Sequence, residues 1–563
     1  MNATDFDAIV VGSGISGGWA AKELTEKGLK VLILERGAPL QHGKDYTGEH
    51  VPPWQRSKRG KPPRELYKSD YPVQSTSFAF NELTRHFWLN DRENPYVLDN
   101  DNRFLWMRGG RVGGKSLMWS RQVYRWSDLD FEANKKDGHG VDWPIRYKDI
   151  APWYSHVEKF IGVSGQREGL SHLPDGEFQP AMEMNAGEKL IKASVEKQFP
   201  DRLVTMGRAA VLTEAKPEQG RGACHYCGPC HRGCSVGAYF SSLSSTLPAA
   251  EKTGNLTLRA NSVVDSLDYD VTSKKVSGVR IVDSQTGERH RFTAKLVFLC
   301  GSTIGSTQIL LNSRSEHFPD GLANHSGTLG RYLMDHNSGL GAFGILPGMM
   351  DRYYKGNRPN NIYIPRFRNV DKSDVDFHRG YGFQGGAFRM NWAMQYQMPG
   401  FGESLKQRLR QPGQWGAFLG GFGETLPQHR NRMYLHKVKK DRFGIPQVAF
   451  DFQWHENERK MRKDLTEQAV AMLKASGAMY VTPSSTPEDP GGAIHEMGTA
   501  RMGKDPASSV LNGHSQAHGI DNLFVTDGAA MTSSACVNPS LTYMALTARA
   551  CDYAVAQLKV GAI

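Results

Sequence analysis

Four of the chain's seven cysteines stand close together, at a spacing that could hold a metal. The stretch CHYCGPCHRGC, residues 224–234, contains Cys224, Cys227, Cys230 and Cys234. The pattern C-x2-C-x2-C-x3-C is typical of ferredoxin-type loops whose thiolates bind an iron–sulfur cluster. Zinc and inert thiols are the alternatives, although structural zinc sites usually pair two knuckles and no second C-x2-C follows. A disulfide pair is a weaker alternative, because it would require export to an oxidising compartment.

A glycine-rich turn near the start of the chain predicts a nucleotide-binding site. In DFDAIVVGSGISGG, Gly12, Gly14 and Gly17 satisfy G-x-G-x-x-G. Such glycines let the backbone approach a pyrophosphate at the N-terminus of a helix. Glu35 follows eighteen residues after Gly17, where a carboxylate can accept hydrogen bonds from a ribose diol. The turn predicts dinucleotide binding but does not separate FAD from a nicotinamide cofactor.

These residues need a strand–helix–strand unit to position them. Residues 6–11 predict a buried strand, the next helix ends near Gly28, and KVLILE predicts a strand that ends at Glu35. Segments 295–313 and 522–531 repeat parts of this pattern, so the nucleotide-binding domain recurs along the chain. LTLRANSVVDSLDYD and KVSGVRIVD alternate like antiparallel strands, and residues 331–480 predict a β-rich insertion.

A second glycine-rich stretch, RGGRVGGKSLMWS at 108–120, lies outside this first unit. Its small residues would allow close approach of the backbone to a flat ring, and an ordinary surface loop is the alternative.

The composition bounds the classes of protein that the chain can represent. Its 563 residues predict two or more domains, and 39% apolar content indicates an ordered globular protein. The net charge of +11 comes from interspersed lysines and arginines without a basic block, so we predict no nucleic-acid partner. No run of eighteen apolar residues and no export signal is visible, so we expect no transmembrane segment.

Several motifs spread over nearly the whole chain carry a family resemblance. They include VVGSGISGG, RGGRVGGKSLMW, DWPIRYKDIAPWY, FLCGSTIGSTQILLNS, GTLGRYLMDH, IHEMGTARMG and VTDGAAMTSSACVNPSLTYMAL. With these motifs the chain resembles the glucose-methanol-choline (GMC) oxidoreductases, FAD enzymes that oxidise alcohols. The resemblance implies an α/β fold with a Rossmann-like FAD-binding domain formed by residues 1–155, 215–330 and 485–563. A second, α+β substrate-binding domain on an antiparallel sheet would comprise residues 156–214 and 331–484.

The resemblance also assigns cofactor residues, with the flavin ring near the 110–120 loop and near 527–539. Trp119 makes the chain similar to pyranose oxidase and to bacterial sugar and glucoside 3-dehydrogenases. Met118 stands where pyranose oxidases have the histidine that links FAD covalently, so we expect non-covalent FAD. The predicted cofactor residues are Gly12, Ser13, Gly14, Ile15, Ser16, Gly17, Glu35, Arg36, Arg108, Gly110, Val112, Gly113, Gly114, Ser116, Met118, Trp119, Val264, Asp527, Gly528, Asn538, Pro539 and Ser540.

Alcohol oxidation needs a base for the hydroxyl proton, and histidine suits this role at neutral pH. By resemblance, His495 in HEMGT is the base, and Asn538 in VNPS is the group that holds the alcohol oxygen. Gln384 and Trp392 are weaker candidates for contacts with a polyol, the alternative being a core strand. His336 and His325 are predicted to be structural, because no partner motif surrounds them.

The resulting hypothesis is an FAD-dependent sugar or glycoside dehydrogenase that oxidises a secondary hydroxyl such as C3. Cys224, Cys230 and Cys234 match the C-x5-C-x3-C pattern of the sugar dehydrogenase branch, associated with a three-iron cluster. Cys227 is extra, so a four-iron cluster stays open. Electrons would pass through the cluster to an external acceptor, with a small subunit and a cytochrome c as expected partners. That subunit could carry the chain to the periplasm by co-export; otherwise the protein is cytoplasmic.

Two alternatives remain at this stage. The first is a sugar oxidase of the same fold that makes hydrogen peroxide and has structural cysteines. The second is an electron-transfer flavoprotein subunit that turns over no alcohol.

Overall fold

The computed structural model describes residues 6–56, 64–98, 103–353, 356–391, 399–484 and 489–563. The helices are α1 Ile15–Glu26, α2 Arg64–Asp70, α3 Asp128–Phe131, α4 Ala133–Asp137, α5 Tyr147–Ile161, α6 Ala186–Gln198, α7 Thr246–Lys252, α8 Thr303–Asn312, α9 Gly402–Arg410, α10 Glu456–Ala475 and α11 Ser540–Lys559. The strands are β1 Phe6–Val11, β2 Val31–Leu34, β3 Val163–Ser164, β4 Phe178–Gln179, β5 Thr205–Met206, β6 Leu256–Arg259, β7 Ser262–Asp270, β8 Lys275–Asp283, β9 Arg289–Phe292, β10 Ala294–Leu299, β11 Asn337–Leu346, β12 Ile362–Ile364, β13 Tyr381–Arg389, β14 Trp415–Gly423, β15 Arg432–Lys440, β16 Pro446–Asp451, β17 Met479–Ser484 and β18 Leu523–Val525.

A parallel sheet with the order β18-β10-β1-β2-β6 carries the glycine-rich turn. Its strands are short apolar runs such as AIVV and VLIL, whose side chains are almost fully buried. Parallel strands covered on both faces are typically continuous apolar runs of this kind. Because β1 leads into α1 and then β2, the turn at residues 12–14 lies at the carboxyl edge of the sheet and at the N-terminus of a helix, as predicted.

The segment LTLR was assigned incorrectly from its sequence pattern. It forms β6 and pairs in parallel with β2 as the edge of the nucleotide sheet, with Leu32 opposite Thr257. The antiparallel unit predicted beside it is real but begins later, as the three-stranded sheet β7-β8-β9. Four residues of period-two pattern cannot distinguish an edge strand of one sheet from the first strand of another, and tertiary pairing decided the outcome.

A six-stranded antiparallel sheet forms the second layer of structure, in the order β17-β11-β14-β13-β12-β5. Helix α10 packs on it through Met461, Leu465, Ala469 and Met472, which recur at helical spacing and are fully buried. The mixed architecture confirms the predicted α/β fold with an antiparallel second sheet. The predicted domain boundaries stay a prediction.

Not all of the segment 331–480 joins that second sheet. The hairpin β15–β16 buries Met433, Val448 and Phe450 in the core that also contains the nucleotide sheet. Phe450 stacks on Phe104 with ring centroids 4.5 Å apart. Within the described residues, no helix is both long and apolar enough to cross a membrane.

Candidate functional site

One large cavity connects the glycine-rich turn with the predicted catalytic residues. It encloses about 2060 Å³, part of it open to solvent. At one end it is lined by residues 11–16 and 34–36, and elsewhere by His495, Asn538 and Gln384. The sequence therefore brought residues more than 500 positions apart into one site, as an enzyme with a long cofactor requires. We call this space the central cavity.

The glycine-rich turn is held to the end of β2 by Glu35. The backbone N–H of Ser13 donates to the Glu35 carboxylate at 2.8 Å, and the Ser13 hydroxyl donates to it at 2.6 Å. A side chain at Gly17 would place its Cβ 1.9 Å from the Gly12 carbonyl oxygen, so only glycine permits this turn. A Cβ at Gly14, by contrast, would meet no atom within 4 Å. The turn thus leaves open space at the helix N-terminus, where a phosphate can approach the backbone.

Unpaired polar atoms also indicate that the central cavity accommodates a polar group. Among the described residues, the Nε atoms of Arg36 and Arg108 and the indole nitrogen of Trp88 are buried without a hydrogen-bond partner. All three side chains line the cavity. Burying such donors unpaired is costly, so each is expected to meet an acceptor from a bound molecule. A dinucleotide, with its phosphate, ribose and ring acceptors, fits this lining.

The second glycine-rich stretch forms a loop that Arg121, a residue missed in the sequence, holds in place. Its guanidinium donates to the carbonyls of Ser116 at 2.9 Å, Leu117 at 3.2 Å and Phe240 at 2.8 Å. Arg121 itself has φ 58°, a conformation uncommon outside glycine. The local sequence gave no signal for this role, because it depends on carbonyls that only the folded loop presents together.

Most of the predicted cofactor residues line the central cavity. They are Gly12, Ser13, Gly14, Ile15, Ser16, Glu35, Arg36, Arg108, Gly114, Ser116, Met118, Trp119, Val264, Asp527, Gly528, Asn538 and Ser540. Five others do not line it: Gly17, Gly110, Val112, Gly113 and Pro539. Gly113 instead supports the turn, since its N–H donates to the Ser13 hydroxyl at 2.9 Å.

His495 occupies a tightly constrained backbone position. The buried carboxylate of Asp335 accepts hydrogen bonds from the backbone N–H groups of His495 at 3.0 Å and Ala493 at 3.2 Å. Ile494 has φ 62°, which is rare for a β-branched residue. Burial raises the pKa of Asp335 to about 7, and the neighbouring Glu496 adds to this effect. This strained segment fixes the direction of the His495 side chain.

The predicted pair His495 and Asn538 meets in the central cavity. Asn538 Nδ2 lies 3.3 Å from His495 Nε2. Gln384 reaches the same point from strand β13, and its Nε2 donates to Asn538 Oδ1 at 2.6 Å. Burial lowers the pKa of His495 well below its usual value, and His336 and Lys115 lower it further. Trp392 lies outside the described residues.

His336, which was predicted to be structural, has a partner that the sequence did not show, because its imidazole contacts that of His495 directly. The two Nδ1 atoms are 2.7 Å apart, and the rings meet edge to face. The contact arises because Met334 and Met497 exchange backbone hydrogen bonds of 2.9 Å, which aligns the two segments. His325 lies outside the cavity lining, in keeping with its predicted role. Phe422 and Gln122 also line the cavity without a prior signal.

The cysteine loop, residues 224–234, packs against the loop that precedes Arg121. His231 Nδ1 lies 2.9 Å from the Met118 carbonyl oxygen. Phe78, which is exposed, packs edge to face on the His231 ring at 5.1 Å. Burial lowers the pKa of Arg121, and the neighbouring Tyr239, Cys230 and Cys234 partly offset this. The loop is thus a direct neighbour of residues that line the central cavity.

The metal group predicted at this loop is not supported. All four thiols are free, Cys227 is exposed, and Cys224, Cys230 and Cys234 are half-buried. Across the part of the chain that the structure describes, no three His, Cys, Asp or Glu side chains converge as ligands of a metal ion would. Backbone contacts hold the loop in place, since Cys224 N donates to Leu212 O and Cys227 pairs with Asn357. Close sequence spacing placed the thiols in one loop without directing them to one point.

Comparison with known proteins assigns the chain to a family. Two family models described as GMC oxidoreductase match residues 6–338 and 427–547. The 2-methyl-1,2-propanediol dehydrogenase of Mycolicibacterium austroafricanum is 28% identical, over 98% of this chain and 95% of its own length. The fructose dehydrogenase large subunit of Gluconobacter japonicus is 27% identical, over 99% and 98%. The 6'''-hydroxyparomomycin C oxidase of Streptomyces lividus is 26% identical, over 96% and 89%.

A solved structure agrees at the level of the fold. The crystal structure of pyridoxine 4-oxidase from Mesorbium loti matches with a TM-score of 0.59 at 15% identity, covering 97% of this chain and 99% of that one. Since the two family models together span most of the chain, the protein belongs to the GMC oxidoreductases, which typically bind FAD and oxidise CH–OH groups.

Proposed function

We propose that the protein oxidises a secondary alcohol of a sugar or glycoside, with the C3 hydroxyl as the first candidate. The electrons would pass to an external acceptor other than oxygen. The observation that carries this proposal is the pairing of His495 Nε2 with Asn538 Nδ2, 3.3 Å apart in the same cavity as the glycine-rich turn. One side chain offers a lone pair and the other an N–H donor, which are the two groups that an alcohol oxygen needs.

The proton chemistry is assigned to these two residues. His495 accepts the hydroxyl proton at Nε2 as the C–O bond becomes a carbonyl. Asn538 Nδ2 donates to the same oxygen and stabilises the negative charge that develops there, without taking the proton. FAD, when bound, would accept the hydride from the carbinol carbon, so the substrate would lose one hydride to the cofactor and one proton to His495, which is two electrons and two protons in all. With Met118 in place of a linking histidine, we propose that FAD is held non-covalently.

The substrate end of the cavity contains both apolar and amide groups. Phe422 and Trp119 offer ring faces, and Gln122 and Gln384 offer amides that can pair with hydroxyls. Gln384 already bonds to Asn538, so we assign it to the orientation of that amide as well as to substrate contact. Relatives named for fructose and for an aminoglycoside support a sugar-like substrate. The carbon that is oxidised rests on the sequence resemblance alone.

We propose that the electrons leave on the side of the cysteine loop. The contact of the cysteine loop with the Met118 carbonyl supports an exit on this side. An iron–sulfur cluster bound by Cys224, Cys227, Cys230 and Cys234 would supply such an exit, although these side chains do not converge as a ligand group. The relative named as a large subunit supports a small partner subunit, and a cytochrome c is the proposed acceptor.

The decisive experiment is anaerobic. Purified protein loaded with FAD is mixed with a panel of glucosides and polyols under nitrogen, and loss of flavin absorbance is followed. We expect a glycoside to bleach the flavin of the wild-type protein, and we expect the 3-deoxy analogue of that glycoside not to bleach it. Equal bleaching by the 3-deoxy analogue would contradict C3 as the carbon that is oxidised. No bleaching by any alcohol would instead favour an electron-transfer subunit.

A sugar oxidase of the same fold is the second candidate, supported by relatives that are named as oxidases. The relatives also include the paromamine 6'-oxidase of Streptomyces fradiae. Oxygen consumption with the bleaching substrate separates the two functions. Rapid formation of hydrogen peroxide without a dye acceptor would show that the protein is an oxidase and not a dehydrogenase. Assay of iron and acid-labile sulfide in anaerobically purified protein tests the cluster independently.

A further inference from the structure

The buried contact between His336 and His495 determines which ring nitrogen of each histidine is protonated. The His336 side chain is fully enclosed, at 1% exposure, and its ring lies against Phe422 as well as His495. The Nδ1 atoms of the two imidazoles are 2.7 Å apart, which requires one donor and one acceptor. Two protonated or two unprotonated Nδ1 atoms could not approach so closely without repulsion.

The backbone carbonyl of Ala535 decides which ring is the donor. His336 Nε2 lies at hydrogen-bond distance from this oxygen, which can only accept, so Nε2 carries the proton. Burial lowers the pKa of His336 to about 4, so at neutral pH it has one proton only. Its Nδ1 is therefore an acceptor, and His495 Nδ1 must be the donor. The lone pair of His495 is then on Nε2, which faces the central cavity.

The opposite side of His495 agrees with this assignment. Gln384 donates to Asn538 Oδ1, so the amide nitrogen of Asn538 is the atom that faces His495 Nε2. An N–H group at that position requires an acceptor on the imidazole. The neutral imidazole of free histidine prefers the Nε2–H form, so the two contacts together invert its usual preference.

We propose that His336 is a positioning residue for the alcohol oxidation. It holds His495 as the Nδ1–H tautomer, so that Nε2 carries the lone pair that receives the hydroxyl proton. As that proton arrives, His495 becomes an imidazolium whose Nδ1–H donates to a neutral nitrogen. This role rests on the proposed function of His495 as the base.

The groups around the pair explain why a neutral partner is suitable. Burial, His336 and Lys115 all lower the pKa of His495, and the carboxylates nearby are already engaged. Asp335 accepts from backbone N–H groups, and Glu496 forms an ion pair with Lys115 at 2.9 Å. A neutral acceptor fixes the tautomer without the strong rise in pKa that a carboxylate partner would cause. The base thus stays unprotonated before substrate binds.

Three variants test the role through substrate-driven bleaching of the flavin under nitrogen. His336→Leu removes the acceptor, and we expect a loss on the order of 100- to 10,000-fold in the bleaching rate, as when a catalytic imidazole is left in the wrong tautomer. His336→Asn keeps an oxygen where the ring has Nδ1, and we expect it to remain within about 10-fold of wild type. His325→Leu, an exposed histidine outside the cavity, is the control and should match wild type. FAD content and thermal unfolding are measured for each.

A spectroscopic measurement makes the test independent of activity and of the stability of His336→Leu. Two-bond ¹H–¹⁵N correlation spectra of imidazole-labelled wild-type protein report the tautomer of each histidine, and His495→Gln identifies the signal of His495. We expect the Nδ1–H form in wild type. An Nε2–H form, or bleaching by His336→Leu at the wild-type rate, would overturn the proposal. If His495→Ala bleaches at the wild-type rate, His495 is not the base. That result would contradict the proposed function and is distinct from a failure of the role proposed for His336.

Discussion

At the scale of single residues, the site depends on groups kept neutral by burial. A base that is already protonated cannot accept the proton of an alcohol, and His495 avoids this because burial and Lys115 disfavour its charge. Asn538 contributes an amide N–H donor, which is uncharged and does not titrate. The two side chains therefore divide the work of accepting a proton and holding an oxygen.

Removing either side chain should separate these roles. We expect His495→Ala to retain FAD and to lose on the order of 100- to 10,000-fold in the rate of flavin bleaching, the usual contribution of a positioned base. Asn538→Ala should cost less, about 10- to 1,000-fold, because it removes an oriented donor only. Stopped-flow absorbance under nitrogen measures both. A larger loss for Asn538→Ala would mean that the roles are reversed.

The lowered pKa of His495 predicts an unusual pH profile. The base is active when neutral, so the bleaching rate is lost only as pH falls through the pKa of the folded protein, which lies well below 6.5. We expect a constant rate from about pH 8 down through 6.5, the ordinary value for histidine. A rate that halves near pH 6.5 would contradict the proposed environment of His495.

At the scale of elements, the strand–turn–helix unit at the start of the chain determines whether a cofactor can bind. The turn between β1 and α1 has one glycine that the protein needs for folding and one that faces open space. Gly17 contacts the Gly12 carbonyl too closely for any side chain, whereas Gly14 has no atom within 4 Å of the position of a Cβ.

Alanine at these two positions should therefore have different effects. Gly14→Ala has φ −69° and no clash, so it should fold normally while its methyl group obstructs the cofactor. We expect FAD affinity to fall about 10- to 100-fold, the range for a misplaced methyl group in a close-packed site. Gly17→Ala should lower thermal stability as well. Fluorescence titration with FAD and circular dichroism measure the two effects, and unchanged FAD affinity of Gly14→Ala would exclude the turn as the phosphate site.

At the scale of the whole molecule, the buried histidine pair links catalysis to stability. His336 has a pKa of about 4 in the folded protein and 6.5 as its ordinary value. As pH falls below 6.5 the unfolded chain binds a proton that the folded one does not, so stability is lost progressively down to about pH 4. The single group accounts for about 3 kcal/mol at most.

His336→Asn should reduce this acid sensitivity. The free energy of unfolding of wild type is expected to fall faster than that of His336→Asn between pH 6.5 and 4, although the variant is less stable at pH 8. Urea unfolding at several pH values measures the free energy of unfolding of both proteins. The difference between the two values cancels the contributions of other titrating groups. Parallel curves for the two proteins would show that His336 is not a neutral buried imidazole.

The cysteine loop lies where electrons are proposed to leave the molecule. We expect Cys230→Ser to leave substrate-driven bleaching largely intact and to slow reduction of a one-electron protein acceptor, because the loop touches the Met118 carbonyl from the surface. Cys227→Ser, exposed and outside the C-x5-C-x3-C pattern, separates three ligands from four, since it should reduce the acceptor like wild type if only the other three cysteines are needed. If both variants reduce the acceptor as fast as wild type, the cysteines have a structural role only.

Features that depend only on contiguous residues could be predicted from the sequence alone. The strand, the glycine turn, α1 and Glu35 could be predicted because their geometry follows from local pattern and a fixed spacing, and the motifs around His495 and Asn538 identified the family. Domain boundaries and the roles of most cofactor residues are predictions that follow from the family resemblance.

Contacts between distant groups could not be predicted, because they depend on how the chain folds. His336 contacts His495 across 159 positions because two extended segments pair at Met334 and Met497. Arg121 bonds to carbonyls that converge only in the folded loop, and LTLR joined the parallel sheet through its partner β2. The cysteines show the converse, since four thiols within eleven residues did not form a ligand group. Spacing fixes which residues share a loop, whereas the direction of each side chain depends on the backbone pairing and packing around it.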